Sequence, residues 1–235
     1  MTQIETALAY LGRDPVLYVN LLEVLRRDSA VLVEAGSDGL LLFDQGSGAW
    51  MMSAQGERAY RRLIPRVPPN CDQFVGHELW YKDRVAELFC LEGEQVCYSA
   101  AWPGRTPPEL PAFGGEVRLL TPDWAPWVEE HYSHSFGGVA YVEKAIKRGM
   151  LGVFLDGTCA GFVGFHDEGS IGMLEVLPEY RHRGLGVVLQ KAAVRLALER
   201  GKFAFGQVLE DNAPSLALQR KVGMVLSKTK MFWLF

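Results

Sequence analysis

Pro178-Glu179-Tyr180-Arg181-His182-Arg183-Gly184-Leu185-Gly186 decides the reading of this 235-residue chain. The run before it, Ile171 to Leu177, is apolar except for Glu175 and reads as a strand. After it, Leu185, Val188, Leu189, Ala192, Ala193 and Leu196 fall at i, i+3 and i+4 spacing, one face of an amphipathic helix. Gly201 stands where that helix needs a C-terminal glycine. A strand therefore enters a short loop with three cationic side chains and two glycines, and the loop opens a helix. Such a loop suits an anion: the first helical turn carries unpaired N–H groups and the positive end of the dipole. Glycines let a phosphate approach the backbone, and Arg181, His182 and Arg183 add charge around it.

The rest of the composition narrows the class of protein. With 49% hydrophobic and 22% charged residues the chain reads as an ordinary globular protein. Its net charge of -4 argues against bulk attraction to nucleic acid. The balance is uneven: residues 1–115 hold 10 Lys+Arg against 15 Asp+Glu, and residues 116–235 hold 14 against 13. Cys71, Cys90, Cys97 and Cys159 lack metal-finger spacing and read as reduced, mostly buried thiols, so no metal site is expected. Neither a signal-peptide pattern nor an apolar run of about 18 residues is seen, so a cytoplasmic location with no membrane span is expected.

Upstream, residues 3–11 and 15–27 read as helices. Short strands are expected at 30–34, 39–44 and 49–54, a helix at 57–64, a strand at 73–75, a helix at 79–91 and a strand at 95–102. Residues 103–115 hold four prolines and three glycines and are the best linker candidate. The order then recurs: a strand at 116–120, helices at 123–132 and 140–148, strands at 151–155 and 159–166, and the opening strand–loop–helix. A strand at 203–209, a helix at 213–222 and one or two strands at 224–235 close the chain. Sliding the sequence by 123 residues pairs Val16 with Val139, Tyr18 with Tyr141, Val19 with Val142 and Leu32 with Leu155. It also pairs Asp44 with Asp167, Gly46 with Gly169, Ser47 with Ser170 and Arg58 with Arg181. This implies a duplicated fold with domains at 1–115 and 116–235. Opposite the glycine loop the first copy has Ala59-Tyr60-Arg61-Arg62-Leu63, without glycine, so it should not bind a diphosphate there.

Three motifs could explain the loop. A dinucleotide-binding G-x-G-x-x-G would need its third glycine at Leu189, and six residues separate the strand from Gly184, too many for that fold. A Walker loop needs Gly-Lys-Ser/Thr, which is absent. Arg181-x-x-Gly184-x-Gly186 resembles instead the R/Q-x-x-G-x-G/A motif of the GNAT acyltransferase superfamily. Asn212-Ala213-Pro214-Ser215-Leu216-Ala217-Leu218-Gln219-Arg220-Lys221-Val222-Gly223-Met224 is similar to that family's later N-x-x-S/A-x-x-L-Y-x-K-x-G-F signature, and the likeness covers most of residues 116–235. The two-lobed layout resembles glycine N-acyltransferase-like members.

The resemblance implies a mixed α/β fold: tandem GNAT copies, each a mixed central sheet flanked by helices, the N-terminal copy degenerate. It implies acetyl-CoA, or another acyl-CoA, as cofactor. Backbone groups at Val176 and Leu177 would bond the pantetheine arm. Backbone N–H groups from His182, Arg183, Gly184, Leu185, Gly186 and Val187 would hold the diphosphate beside the Arg181 side chain. Asn212 and Ser215 would contact the cofactor arm.

Acyl transfer to an amine needs a neutral amine, an oxyanion donor and a proton path to the thiolate. The family's tyrosine acid falls at Gln219, and glutamates used by some members fall at Gln207 and Ser170, so these customary positions hold no acid or base. Gln207 and Gln219 are left as substrate-side candidates. Glu175, the lone charge in its strand, is the candidate base, with a substrate-ammonium anchor or a structural ion pair as its other readings. His131, His134 and His166 read as solvated or capping residues, Tyr180 as packing beside the loop, and Met231–Phe235 as an apolar strand in the core or an interface, with lining of the acceptor pocket as its other reading. The expectation is an N-acetyltransferase acting by direct transfer on a small-molecule amine or amino acid, as monomer or homodimer. The alternative is a non-catalytic acyl-CoA-binding regulator.

Overall fold

The computed structural model describes residues 2–133 and 137–235. His134, one of the histidines singled out above, lies outside them. The first half runs α1 (Gln3–Leu11), α2 (Val19–Arg26), β1 (Ala30–Gly36), β2 (Gly39–Asp44), β3 (Ala49–Ala54), α3 (Glu57–Leu63), β4 (Phe74–Gly76), α4 (Lys82–Phe89) and β5 (Glu94–Ala101). The second runs β6 (Glu116–Leu119), α5 (Ala125–His131), α6 (Gly138–Gly149), β7 (Leu151–Leu155), β8 (Thr158–Phe165), β9 (Ile171–Val176), α7 (Leu185–Glu199), β10 (Phe205–Leu209), α8 (Ala213–Val222) and β11 (Val225–Leu234). This is the mixed α/β architecture expected, with sheets flanked by helices.

Most elements start where the residues dictate. Thr2 caps α1 through a reciprocal box with Glu5: Glu5 N donates to Thr2 Oγ1 at 3.2 Å and Thr2 N to Glu5 Oε2 at 2.8 Å. Gly201, at φ +67°, ends α7 with Gly201 N on Leu198 O and Lys202 N on Ala197 O. Three helices differ from expectation; the one anticipated at 123–132 begins as a 3₁₀ turn, Pro122–Trp124, before α5. The helix anticipated from residue 15 starts at Val19, because Asp14 Oδ1 accepts Leu17 N at 3.0 Å and closes a separate turn. The helix anticipated at 79–91 is a 3₁₀ turn, Leu79–Tyr81, followed by α4. Tyr81 is fully buried there and donates to Met52 O at 2.9 Å, so the chain turns inward to seat the ring.

Contacts divide the chain into two compact units whose membership does not follow the two halves of the sequence. The first comprises residues 1–100 with Gln207–Ala213 and Leu226–Phe235. The second comprises Ala101–Gly206 with Pro214–Val225.

A seven-stranded sheet ordered β1-β2-β3-β4-β11-β5-β10 organises the first unit. β1, β2 and β3 form an antiparallel meander, β3 and β4 are parallel, and β11 runs antiparallel to β4. Alternate side chains leave opposite faces of a strand, and both faces are covered. Leu40, Leu42, Met51, Val75 and Met231 pack with α1 and α2, whereas Leu41, Met52, Phe74 and Phe232 pack with α3 and α4. This two-sided burial explains why Leu40-Leu41-Leu42 and Met51-Met52 are uninterrupted apolar runs.

In the second unit β6-β7-β8-β9 form an antiparallel sheet. Val128, Val142, Ile146, Phe154, Phe162 and Met173 make the core between this sheet and α5/α6, and α7 packs on β7, β8 and β9. The proline- and glycine-rich stretch is docked on α7: Arg195 Nη1 donates to Pro108 O at 3.2 Å and Lys191 Nζ to Glu109 O at 3.1 Å. Cys71, Cys97 and Cys159 are buried free thiols, and Cys90 is an exposed one. Among the described residues no helix is long and apolar enough to cross a membrane.

Candidate functional site

β9 is the edge of its sheet, because β10 pairs with β5 and not with β9. A bulge breaks β9: the register with β8 shifts between Phe162 and Gly164, and Met173 sits at φ +52°. Beyond the bulge, Leu177 N donates to Ala160 O at 3.0 Å, and Leu177 O accepts Tyr180 N at 2.9 Å, so both backbone groups of Leu177 are engaged. Antiparallel pairing alternates. Leu177 therefore faces β8, while the amide and carbonyl of Val176 face the open edge. The Val176 carbonyl accepts Arg181 Nε at 3.0 Å.

The loop itself begins with a 3₁₀ turn, Pro178–Tyr180, and then exposes Arg181, His182, Arg183 and Gly184 in succession. His182 at φ +63° and Gly184 at φ +80° are left-handed and flank Arg183. This alternation of hand turns successive N–H groups toward one side, the shape of an anion-binding nest. Gly184 caps α7, and nothing lies within 4 Å of where its Cβ would be. A Cβ on Gly186 would lie 3.7 Å from Leu218, so α8 backs the first turn of α7. Val187 N donates to Gly184 O at 3.0 Å and is engaged, whereas the N–H groups of the first positions of α7 have no partner within the helix. Arg183 Nη2 donates to Glu179 O at 3.2 Å and its guanidinium lies 5.4 Å from the Tyr180 ring centre. These donors and this open glycine cradle fit an anionic diphosphate.

Glu175 lies next to the loop, its side chain 13% exposed. Arg181 Nη2 is 3.2 Å from its Oε1, and Ser133 Oγ donates to its Oε2 at 2.7 Å. Burial, with the charge of Glu175 adding to it, pushes the Tyr132 hydroxyl up to about 12. The customary positions are otherwise occupied. Gln219 is 5% exposed and its Oε1 accepts Gln190 Nε2 at 3.1 Å, which ties α8 to α7. Gln207 Oε1 accepts Trp233 Nε1 at 2.6 Å, and its buried Nε2 has no partner among the described residues. Ser170 is buried against the carboxylate of Glu168, itself buried. Asn212 stands directly before α8 and Ser215 in its first turn.

The sequence did not single out Ser133 or Glu168, and His166, expected to be solvated or capping, has its Nδ1 2.9 Å from the Tyr141 hydroxyl. Glu168 stands two residues before Ser170 and was open to a hairpin argument; Ser133 is 42 positions from Glu175 and nothing local announces it. His131 caps its own helix, Nδ1 lying 2.7 Å from Trp127 O. No group of His, Cys, Asp and Glu suited to a metal occurs among the described residues.

Residues 117–224 match the family model described as "Acetyltransferase (GNAT) family". Solved structures share the fold over nearly the whole chain. A Drosophila protein aligns at 16% identity and a TM-score of 0.71, covering 100% of this chain and 97% of the other. A GNAT-family protein of Novosphingobium aromaticivorans aligns at 16% identity and 0.56, covering 94% and 95%. An N-acetyltransferase-like protein of Streptococcus suis aligns at 13% identity and 0.55, covering 99% of each chain. No curated protein matches the sequence. Residues 117–224 are thus similar to a GNAT acetyltransferase domain. That domain and fold support acyl-CoA-dependent acetyl transfer in general.

Proposed function

We propose that the protein is a cytoplasmic acetyl-CoA-dependent N-acyltransferase that acetylates the amine of a small molecule or amino acid by direct transfer, as a monomer or homodimer. The observation that carries this reading is the exposed, left-handed cradle at His182–Gly184 opening α7 beside the free edge of β9, within the matched domain. Residues 1–115 are then a degenerate copy of the domain at 116–235.

In this reading acetyl-CoA supplies the activated acyl carbon. Amides from His182 to Gly186, with the Arg181 guanidinium, hold the diphosphate, and the edge groups of Val176 bond the pantetheine arm. Leu177 and Val187, whose amides are engaged, shape these contacts rather than donate. Asn212 and Ser215 order the start of α8 against the cofactor arm. Glu175 takes the proton of the acceptor amine, oriented by Ser133 and Arg181. Gln207 offers its Nε2, without a partner among the described residues, to the substrate, and Gln219 holds α8 against α7.

The experiment is thiol release from acetyl-CoA across a panel of amines, with mass spectrometry of the product. Amine-dependent release with a matching acetylated amine is expected. Tight acetyl-CoA binding with no release across the panel would instead favour the non-catalytic regulator.

A further inference from the structure

The first unit holds a cleft of about 650 Å³ that the acetyl-transfer reading does not use. Tyr18, His77 and Glu78 line it, together with Arg13, Asp14, Lys228 and Lys230. Glu78 is held by uncharged donors. Ser53 Oγ lies 2.5 Å and Tyr18 OH 3.2 Å from Oε1, and Ala54 N lies 2.8 Å and Tyr81 OH 3.1 Å from Oε2. Four groups from three separate stretches of chain fix this one carboxylate. Among the described residues it has no ion pair, although three cationic side chains line the same cleft. Lys230 is paired with Glu210, while Arg13 and Lys228 are in no ion pair among the described residues.

A carboxylate is costly to bury without a counter-charge. Here the surrounding hydroxyls and amide orient it but do not neutralise it, and the cleft leaves it open to a ligand. A cation bound at Glu78 would bring its own substituents toward Arg13 and Lys228, where an anionic group is favoured.

We infer that this cleft is a binding site for a small zwitterion, its primary ammonium group on Glu78 and its anionic end on Arg13 and Lys228. The site stands apart from the acetyl-transfer reading, since it is defined by binding and lies wholly within the first unit. The ligand is either an acceptor for the chemistry or an effector; both present the same charges.

Isothermal titration of the full-length protein with glycine, β-alanine, taurine and phosphoethanolamine tests this, with ethylamine and acetate as single-charge controls. At least one zwitterion should bind at least about tenfold more tightly than either control. Glu78→Gln, which keeps the shape of the side chain, and Lys228→Gln, at an exposed position, should each weaken that ligand by about tenfold or more. Melting curves and acetyl-CoA titration of both variants report whether each unit stays folded. If Glu78→Gln fails to fold, Lys228→Gln still decides. Acetylation of the bound zwitterion on adding acetyl-CoA marks an acceptor, and binding without acetylation marks an effector; each supports the site. Binding of no panel member at millimolar concentration, or wild-type affinity in a folded Lys228→Gln variant, overturns it.

Discussion

Arg181 reaches back across the loop to Glu175, Nη2 to Oε1 at 3.2 Å, while its Nε holds the Val176 carbonyl. The residue expected to serve an anion thus also clamps the only carboxylate of β9. If Glu175 is the base, Glu175→Gln should cut kcat by about 100-fold or more, leaving the KM for acetyl-CoA within about threefold. Unchanged kcat in this variant would reduce Glu175 to a partner of Arg181.

The two loop glycines should respond differently to alanine. Gly184 has open space around it but a left-handed backbone, so Gly184→Ala should cost about 1 kcal/mol, read as a lower melting temperature. Gly186 is helical and its Cβ would make an ordinary contact with Leu218, so Gly186→Ala should hold or raise stability. Acetyl-CoA titration should show both variants weakened, because each methyl group crowds the anion.

Gly76 faces Phe232 across β4 and β11, and a Cβ there would lie 2.1 Å from the ring. Gly76→Ala should destabilise by about 1–3 kcal/mol in urea unfolding. Combining it with Phe232→Leu should cost less than the sum of the two single changes, a coupling that a double-mutant cycle measures.

His77 is fully buried, and burial lowers its pKa from 6.5 to about 4. Between Met52 O, 3.1 Å from Nδ1, and the Asn20 side chain, 2.9 Å from Nε2, it stays neutral. The unfolded chain takes up a proton below about pH 6.5 and the folded chain does not. Stability therefore falls as pH drops from about 6.5 toward 4, by up to about 3 kcal/mol. Burial raises Glu78, which acts in the opposite sense. His77→Gln leaves Glu78 in place and should flatten the fall, as urea melts at pH 7 and pH 4.5 would show.

Local features were legible because local physics sets them. Gly39–Asp44, Ala49–Ala54, Leu151–Leu155 and Ala213–Val222 lie where alternation, turn residues and caps put them. The loop at Arg181–Gly186 was readable because strand, glycines and helix adjoin in sequence. What escaped depends on distant residues. Nothing near Glu78 announces that Tyr18, Ser53 and Tyr81 converge on it. Nothing near Gln219 announces that Gln190 will take its carboxamide. The placing of β11 between β4 and β5 is invisible to any window, since a sheet chooses its partners by shape complementarity across the whole chain.

That placing bears on how the protein is made. β11 supplies Met231, Phe232 and Leu234, all buried, to a sheet whose neighbouring strands were synthesised more than a hundred residues earlier. During synthesis β4 and β5 emerge with a gap between them, and that gap is filled only when β11 has been made. Loss of β11 would remove the strand that joins β4 to β5 and would unmake the first unit rather than the second.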